Sequence, residues 1–405
     1  MKFEKTEQYL FLIFLCFLIS ILTILPLGSF SLLKSLFFIV TLFFYIISKY
    51  NFSKTLIISL LPFILTIILS LFVAIFNNFF EKEILTELKA LILFGIILVI
   101  FIDITKIFSL KKIEILLKTF IISHFIYIII KLVFFYLIYT GSLNFNFLKK
   151  ISNDFVLAFF GNIPRISISN DLFTFVAFSL LYLNKNLFNK YFRFILYFFM
   201  ILNTLISFNR ITILSIFCFI LFYNILFFRK RELFKIIIII IIFIGIFFFS
   251  YNKSILIQGI INTLKNRFSN EGSLSNQEKI YQYFLIFKSI NWEIFLFGKG
   301  IGEFLHDYIR RNIEGFRYGY EAFLGIFFFQ FGILGVLIFY ILINIKFLRK
   351  KTFFSKRLLL HFIIANIWIL HGLVDPVLLT SNSAIVLGVI YLSYDYNYKI
   401  FYGRF

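Results

Sequence analysis

The sequence is poor in charge. Asp, Glu, Lys and Arg make up only 15% of its 405 residues, against about 25% in an ordinary soluble domain. Cysteine occurs twice, and both Cys16 and Cys218 sit inside apolar runs, where they read as small buried hydrophobes rather than members of a disulfide framework or thiolate metal centre. No Cys/His cluster has metal-ligand spacing, and no Walker motif is present. None of the six aspartates lies two positions from another, so the Asp-x-Asp pair that would hold a metal-bound nucleotide sugar is missing. Internal repeats, low-complexity linkers and a second soluble domain are missing too. The expectation is a single unit that works without metal or cofactor.

What the sequence has in excess is apolar surface: 61% of residues are hydrophobic and the mean hydropathy is +0.99. That much cannot be hidden in one core, so the excess must face lipid. A spanning helix needs about 20 mostly apolar residues, and the apolar runs here are continuous rather than alternating, which excludes an outer-membrane barrel. The 65 phenylalanines, with abundant Ile, Asn and Lys, reflect an AT-rich coding bias better than a stacking function. The predicted fold class is all-α, a polytopic integral membrane protein forming a single membrane-embedded domain over residues 1–405. Twelve spans are expected: 8–27, 30–47, 55–76, 88–104, 113–139, 167–184, 192–208, 211–228, 233–251, 319–345, 358–372 and 383–395, the last two short. The first is too long for a signal-peptide core and lacks a small-residue cleavage site.

The formal charge of +21 is a topology signal. With the N-terminus inside, 22 of the 40 Lys and Arg residues fall in cytoplasmic segments, as the positive-inside rule requires of short loops. Both termini are therefore expected in the cytoplasm, and no nucleic-acid partner is needed to explain the charge. Two external segments are long, 140–166 and 252–318. The second is punctuated by Tyr281, Tyr283, Phe284, Ile286, Phe287 and Trp292, which predicts short amphipathic helices folded over the membrane face.

Ionisable residues at membrane depth are expensive and point to function by default. Arg210, in Ser207-Phe208-Asn209-Arg210-Ile211-Thr212, lies at the external junction of two spans with almost no loop between them. Arg165 follows Pro164 and precedes the polar Ser167-Ile168-Ser169-Asn170-Asp171. Two external arginines would suit an anionic ligand such as a diphosphate, through bidentate contacts; the plain alternatives are a snorkelling anchor for Arg210 and a loop ion pair with Asp171 for Arg165. Lys131 and His124 in span five read as structural pairing or headgroup exposure before catalysis. In the long loop, Gly298-Lys299-Gly300-Ile301-Gly302 has no βαβ context for a nucleotide, and His306-Asp307, Arg310, Arg311, Glu314 and Arg317 form either a solvated helical face or a glycan-binding one. Glu321, at the start of span ten, either caps the helix N-terminus or acts as a base. His371 to Asp375 reads as a polar helix terminus.

The order of these features resembles the O-antigen polymerase / O-antigen ligase superfamily of bacterial envelope glycosyltransferases. The matching elements are Pro164-Arg165, the Ser207-to-Ser215 stretch around Arg210, the long external loop, the turn Gly298 to Gly302 and Gly332-Ile333-Leu334-Gly335 in span ten. Ligases typically open span ten with His-Asn; Tyr320-Glu321 stands there instead, which favours the polymerase branch. The resemblance implies metal-independent glycosyl transfer from an undecaprenyl-diphosphate-linked oligosaccharide at the periplasmic face of the bacterial inner membrane. The acceptor would be a second lipid-linked unit, and a chain-length regulator a further partner. Arg165 and Arg210, with Arg310, Arg311 and Arg317, would then stabilise the diphosphate or hold the glycan, and Glu321 would serve the acceptor hydroxyl. The rival readings are a ligase acting on lipid A–core and a flippase for the lipid-linked oligosaccharide, although no inverted-repeat symmetry marks a carrier.

Overall fold

The computed structural model describes residues 2–26, 29–48, 54–76, 82–152, 156–160, 163–207, 209–227, 271–301, 323–348, 353, 355–374, 378 and 380–402. In chain order the helices are α1 (Lys2–Ile24), α2 (Ser31–Ile47), α3 (Lys54–Phe76), α4 (Lys82–Ile107), α5 (Leu110–Tyr139) and α6 (Phe145–Ile151). A hairpin, β1 (Val156–Phe160) and β2 (Ile163–Ser167), and a 3-10 turn (Ser169–Leu172) lead into α7 (Phe173–Leu183). Then follow α8 (Lys190–Ser207), α9 (Arg210–Phe227), α10 (Glu271–Ser289), α11 (Trp292–Phe297), α12 (Phe323–Asn344), α13 (Lys356–Val374) and α14 (Ser381–Tyr402). Among the described residues, five helices are long and apolar enough to cross a membrane, and the protein is membrane-embedded. Each predicted span except 233–251, which lies outside the described residues, overlaps a described helix.

The bundle is helical, as predicted, with one small addition that the hydropathy pattern does not predict. The strands β1 and β2 pair antiparallel, with Ala158 opposite Arg165 and Phe159 opposite Pro164. Proline cannot continue a helix and is tolerated on an edge strand, so Pro164 sits where such a hairpin accepts it. Span six is correspondingly shorter than 167–184. Its α-helix has 11 residues, about 16 Å at 1.5 Å per residue, because the chain runs extended up to Ile168 and then makes the 3-10 turn.

The helices are amphipathic in the inverse sense to a soluble bundle. Along α8, Tyr191, Phe194, Phe198 and Ile201 are exposed, while Asn203, Thr204 and Ser207 are buried with Leu196 and Met200. Along α3, Leu61, Leu65, Ile68 and Phe72 form an exposed apolar stripe. Several buried hydroxyls are satisfied within their own helices: Thr23 donates to Ile19 O at 2.6 Å, Ser179 to Phe175 O at 2.9 Å and Ser207 to Asn203 O at 2.8 Å. That is the economical solution where water is absent.

At the centre stands α14, buried from Asn382 through Asp395 and packed against α4, α5, α7 and α13. The predicted short span 383–395 extends to Ser381–Tyr402. Its low hydropathy follows from its surroundings, since a helix facing protein on all sides can carry Ser383, Ser393, Asp395 and Asn397 provided neighbours bond them. Asn184 donates to Ser393 at 2.8 Å, His361 meets Ser393 at 2.9 Å, and Asn397 donates to Asn184 at 2.8 Å. Lys346 pairs with Asp395 and also donates to Phe101 O at 3.2 Å.

These contacts gather at one end of the bundle, as do Lys399 with Phe108 O and Lys112 with Gln8. The N-terminal part of α1 and the C-terminal part of α14 therefore lie at the same end. At the opposite end α12 is broken: Gly332 adopts φ 61° and ψ −179°. The turn at Gly298 (φ 77°) docks into that break, with Lys299 N donating to Phe329 O at 2.8 Å and Gly300 N to Gln330 O at 3.0 Å. A Cβ at Gly332 would stand 2.3 Å from Leu296 O. The two glycine motifs of the sequence are thus halves of one joint.

The approach of α14 to α4 is tested at Gly388, where an added Cβ would stand 2.3 Å from the Phe101 ring. Both residues are deep in the core, so Gly388→Ala is expected to destabilise the protein by about 1–3 kcal/mol through overpacking, seen as a lower melting temperature in detergent. An unchanged melting temperature would show that α4 and α14 do not pack this closely.

Candidate functional site

A buried ion pair organises the end of the bundle that carries the hairpin. Lys131 of α5 and Asp171 of the 3-10 turn are each 1% exposed, and their charged atoms are 2.6 Å apart. Asp171 Oδ1 also accepts from Tyr127 Oη at 2.8 Å and from Asn203 Nδ2 at 3.2 Å, while Oδ2 accepts from Ile168 N at 3.0 Å. Lys131 donates a second bond to Asn203 Oδ1 at 3.0 Å. Thr174 joins the cluster, receiving Asn203 Nδ2 at 3.0 Å and meeting His124 Nε2 at 2.9 Å. One pair thus ties α5, the turn before α7, and α8 together. Of the two readings of Lys131, structural pairing is the one the structure shows. Asp171 is this lysine's partner, where the sequence had offered it to Arg165.

The neighbouring residue extends the brace. Asn170 donates to the carbonyls of Thr23 (2.9 Å) and Leu25 (3.0 Å) at the end of α1, and its Oδ1 accepts from Asn382 at the start of α14 at 3.3 Å. Asn170-Asp171 is therefore a two-residue hub reaching α1, α5, α8 and α14.

Around this hub lie two of the residues singled out from sequence. Arg165 is the third residue of β2, and β2 packs against α5 and α8; its side chain lies outside the described residues. Arg210 opens α9 and is half-buried. The preceding Asn209 turns the chain into that helix by accepting from Ile211 N at 3.1 Å and Thr212 N at 3.3 Å, an N-cap arrangement. Because α9 starts directly after α8 ends, the strand of Arg165 and the turn of Arg210 share α8 as a neighbour. Arg310, Arg311, Arg317 and Glu321 lie outside the described residues, as does most of the 252–318 loop. Its described part contains the helices α10 and α11 that the aromatic spacing predicted, with Ile286 of α10 buried against Ile326 and Phe329 of α12.

His371, read from sequence as part of a polar helix terminus, does lie in the last turn of α13, and it is buried there. It sits against Trp368 and Phe175, with ring centroids at 5.7 and 6.5 Å, and its Nδ1 is 3.5 Å from Ser215 Oγ of α9. Sequence reasoning also missed Asn203, Thr174 and Tyr127. The available signal was a lysine and an aspartate in successive spans, neither of which could be left alone at depth. Glu87 and Gln330, joined at 3.1 Å beside the Gly332 break, gave no signal of their own. Among the described residues no group of three or more His, Cys, Asp or Glu could hold a metal ion.

The hub is testable through its charges. Removing one partner of a buried pair strands the other, at a cost of about 3–5 kcal/mol. Asp171→Asn is therefore expected to destabilise strongly. Adding Lys131→Met removes the stranded cation, while the new amide at position 171 keeps an oxygen for Ile168 N–H, so part of the loss should be restored. A double variant no more stable than Asp171→Asn would mean that the pair does not act as a unit.

No family model, curated protein or solved structure matches this chain.

Proposed function

We propose that this protein is a polysaccharide polymerase of the bacterial inner membrane, joining undecaprenyl-diphosphate-linked oligosaccharide units on the periplasmic face. The reading supposes twelve spans, cytoplasmic termini, and segment 252–318 in the periplasm. In support of that topology, the start of α1 and the end of α14 lie on the same side of the bundle, as an even number of crossings demands. The charge distribution favours the cytoplasm for that side.

The observation that supports the reading is placement: β2 with Pro164-Arg165 packs on α8, which Arg210 of α9 follows directly, and the Gly298/Gly332 joint, held against α3 and α12, lies toward the same end of the bundle. Glycosyl transfer from a lipid diphosphate needs fixed positive charge where the leaving group gains negative charge, and a basic group near the acceptor hydroxyl. Arg210, which opens α9, is proposed for the first task, with Arg165 as its companion. Arg310, Arg311 and Arg317 are proposed to hold the glycan and Glu321 to act as the base. The Gly298 turn, locked into α12, would anchor the loop that encloses the reaction.

Two experiments test this reading. A strain lacking the gene is expected to make lipopolysaccharide capped with at most one repeat, because a separate ligase still works. Finished polymer retained on the undecaprenyl carrier would assign the chain to the ligases instead. In the complemented strain, Arg210→Lys and Arg165→Lys are expected to lower polymer formation at least about tenfold, since an ammonium cannot reproduce the bidentate fork. Normal polymer at normal expression in both would leave them as anchors.

A further inference from the structure

The stretch Leu183-Asn184-Lys185, where α7 ends, gathers cations from two other helices. Arg193 of α8 donates from Nη1 to Lys185 O at 2.9 Å, and Arg357 of α13 donates to Leu183 O. Lys185 itself extends over the Tyr182 ring, its ammonium 5.3 Å from the centroid. Tyr182 packs edge-on against Tyr223 of α9 at 4.7 Å. Tyr223 lies within electrostatic reach of Arg357, as Tyr197 does of Arg193. The platform is fixed, because Asn184 is bonded to Ser393 and Asn397 of α14. Two guanidinium groups and an ammonium thus meet at one turn, and among the described residues no carboxylate pairs with any of the three.

Positive-inside sorting accounts for cations at one end of a bundle but does not require them to converge. Helix stability does not ask for it either. Lys190 and Arg357 stand in the first turns of α8 and α13, where positive charge opposes the helix dipole. A guanidinium has five N–H donors; each arginine uses one on a carbonyl here, and both are half-buried rather than withdrawn from the surface. Like charges held together in such surroundings repel, and an anion between them relieves the repulsion. The neighbouring surface says which anion. Lys190, Phe194, Phe198 and Ile201 recur every three or four residues along one face of α8, and all are exposed. From Lys190 to Ile201 that stripe runs about 16 Å at 1.5 Å per residue, one leaflet of a ~30 Å hydrocarbon core. We infer that Arg193, Arg357 and Lys185 form a binding site for the phosphate of an anionic phospholipid, whose acyl chains lie along the Phe194-to-Ile201 stripe of α8. An arginine fork fits phosphate oxygens in a bidentate manner, and basic pockets between spanning helices suit anionic headgroups. A free phosphate would use the cations and leave the apolar stripe unused. The site stands at the end of the bundle that holds Lys346 and Asp395; it requires the membrane embedding and owes nothing to the polymerase reading.

Native mass spectrometry of the full-length protein in detergent, mixed with phosphatidylglycerol, phosphatidylcholine or inorganic phosphate, reads each bound species by its mass. Phosphatidylglycerol is expected to bind saturably and about tenfold or more tighter than phosphatidylcholine, with inorganic phosphate failing to displace it. Arg193→Gln should weaken the apparent Kd for phosphatidylglycerol about tenfold, and Arg193→Lys should weaken it too, since an ammonium keeps the charge but not the fork. Lys185→Gln should weaken it about fivefold; this side chain is exposed, so its variant reads the site without disturbing the fold. Lys111→Gln removes an equal charge from the exposed start of α5 at the same end of the bundle, and should change the Kd by less than about twofold. Equal affinity for phosphatidylcholine, displacement by inorganic phosphate, or unchanged affinity in both Arg193→Gln and Lys185→Gln would overturn the site. So would a loss in Lys111→Gln as large as in those two, which would reduce the effect to diffuse charge. Glycan lengthening is not read, so either result leaves the polymerase reading where it stood.

Discussion

The structure depends on the impossibility of leaving Lys131 or Asp171 alone. An isolated charge at this depth would cost several kcal/mol, so α5 and the chain before α7 must meet where ammonium and carboxylate touch. Once they do, Asn203 closes the ring and fixes α8, and Ile168 N–H is used up on Asp171 Oδ2. The chain therefore cannot enter α7 as a longer helix; it arrives extended from β2. The position of Arg165 on its strand, and the turn that starts α9 at Arg210, follow from this one ring of contacts. Asn170 then carries the constraint to α1 and α14.

A second buried pair, Lys346–Asp395, does comparable work at the other end. Between the two runs α14, whose polar residues are matched by α7 and α13 rather than by water. The bundle therefore has two polar ends joined by a central helix and an outer surface of Phe, Leu and Ile. Near Lys346 the amides, hydroxyls and imidazole engage one another: Asn184, Ser393, His361 and Asn397 form a linked set. Among the described residues, unpartnered buried polar atoms occur toward both ends of α9, at Thr212 and at Asn224.

Much of the helical layout was legible in the sequence, because apolar runs of spanning length have few other uses. The boundaries of α3, α8 and α9 lie within two residues of the predicted spans. What the hydropathy pattern could not reveal was the hairpin, whose strands are five residues each, too short to show a period, and are marked only by Pro164. Nor could it show the burial of α14, since the same residues in water-facing and protein-facing helices look alike. For the site, single residues at unusual depth were legible: Lys131 and Arg210 stood out by charge. Their partners did not. Asn203 and Thr174 are ordinary in sequence and acquire meaning only when α8 and α7 face α5. His371 was legible as a helix end, but its burial was not, because its aromatic neighbours Phe175 and Trp368 come from another helix and from an earlier turn of its own.

The central claim is that this end of the bundle joins lipid-linked sugars using the protein's own side chains. It is tested most directly by purifying the full-length protein, reconstituting it in proteoliposomes with undecaprenyl-diphosphate-linked oligosaccharide, and sizing the lipid-linked products by mass spectrometry with and without EDTA. The account predicts glycans of two and more repeats, release of undecaprenyl diphosphate in step with each added repeat, and the same yield in EDTA. Lipid-linked sugar that stays at one repeat, or lengthening that stops when divalent ions are chelated, would contradict it.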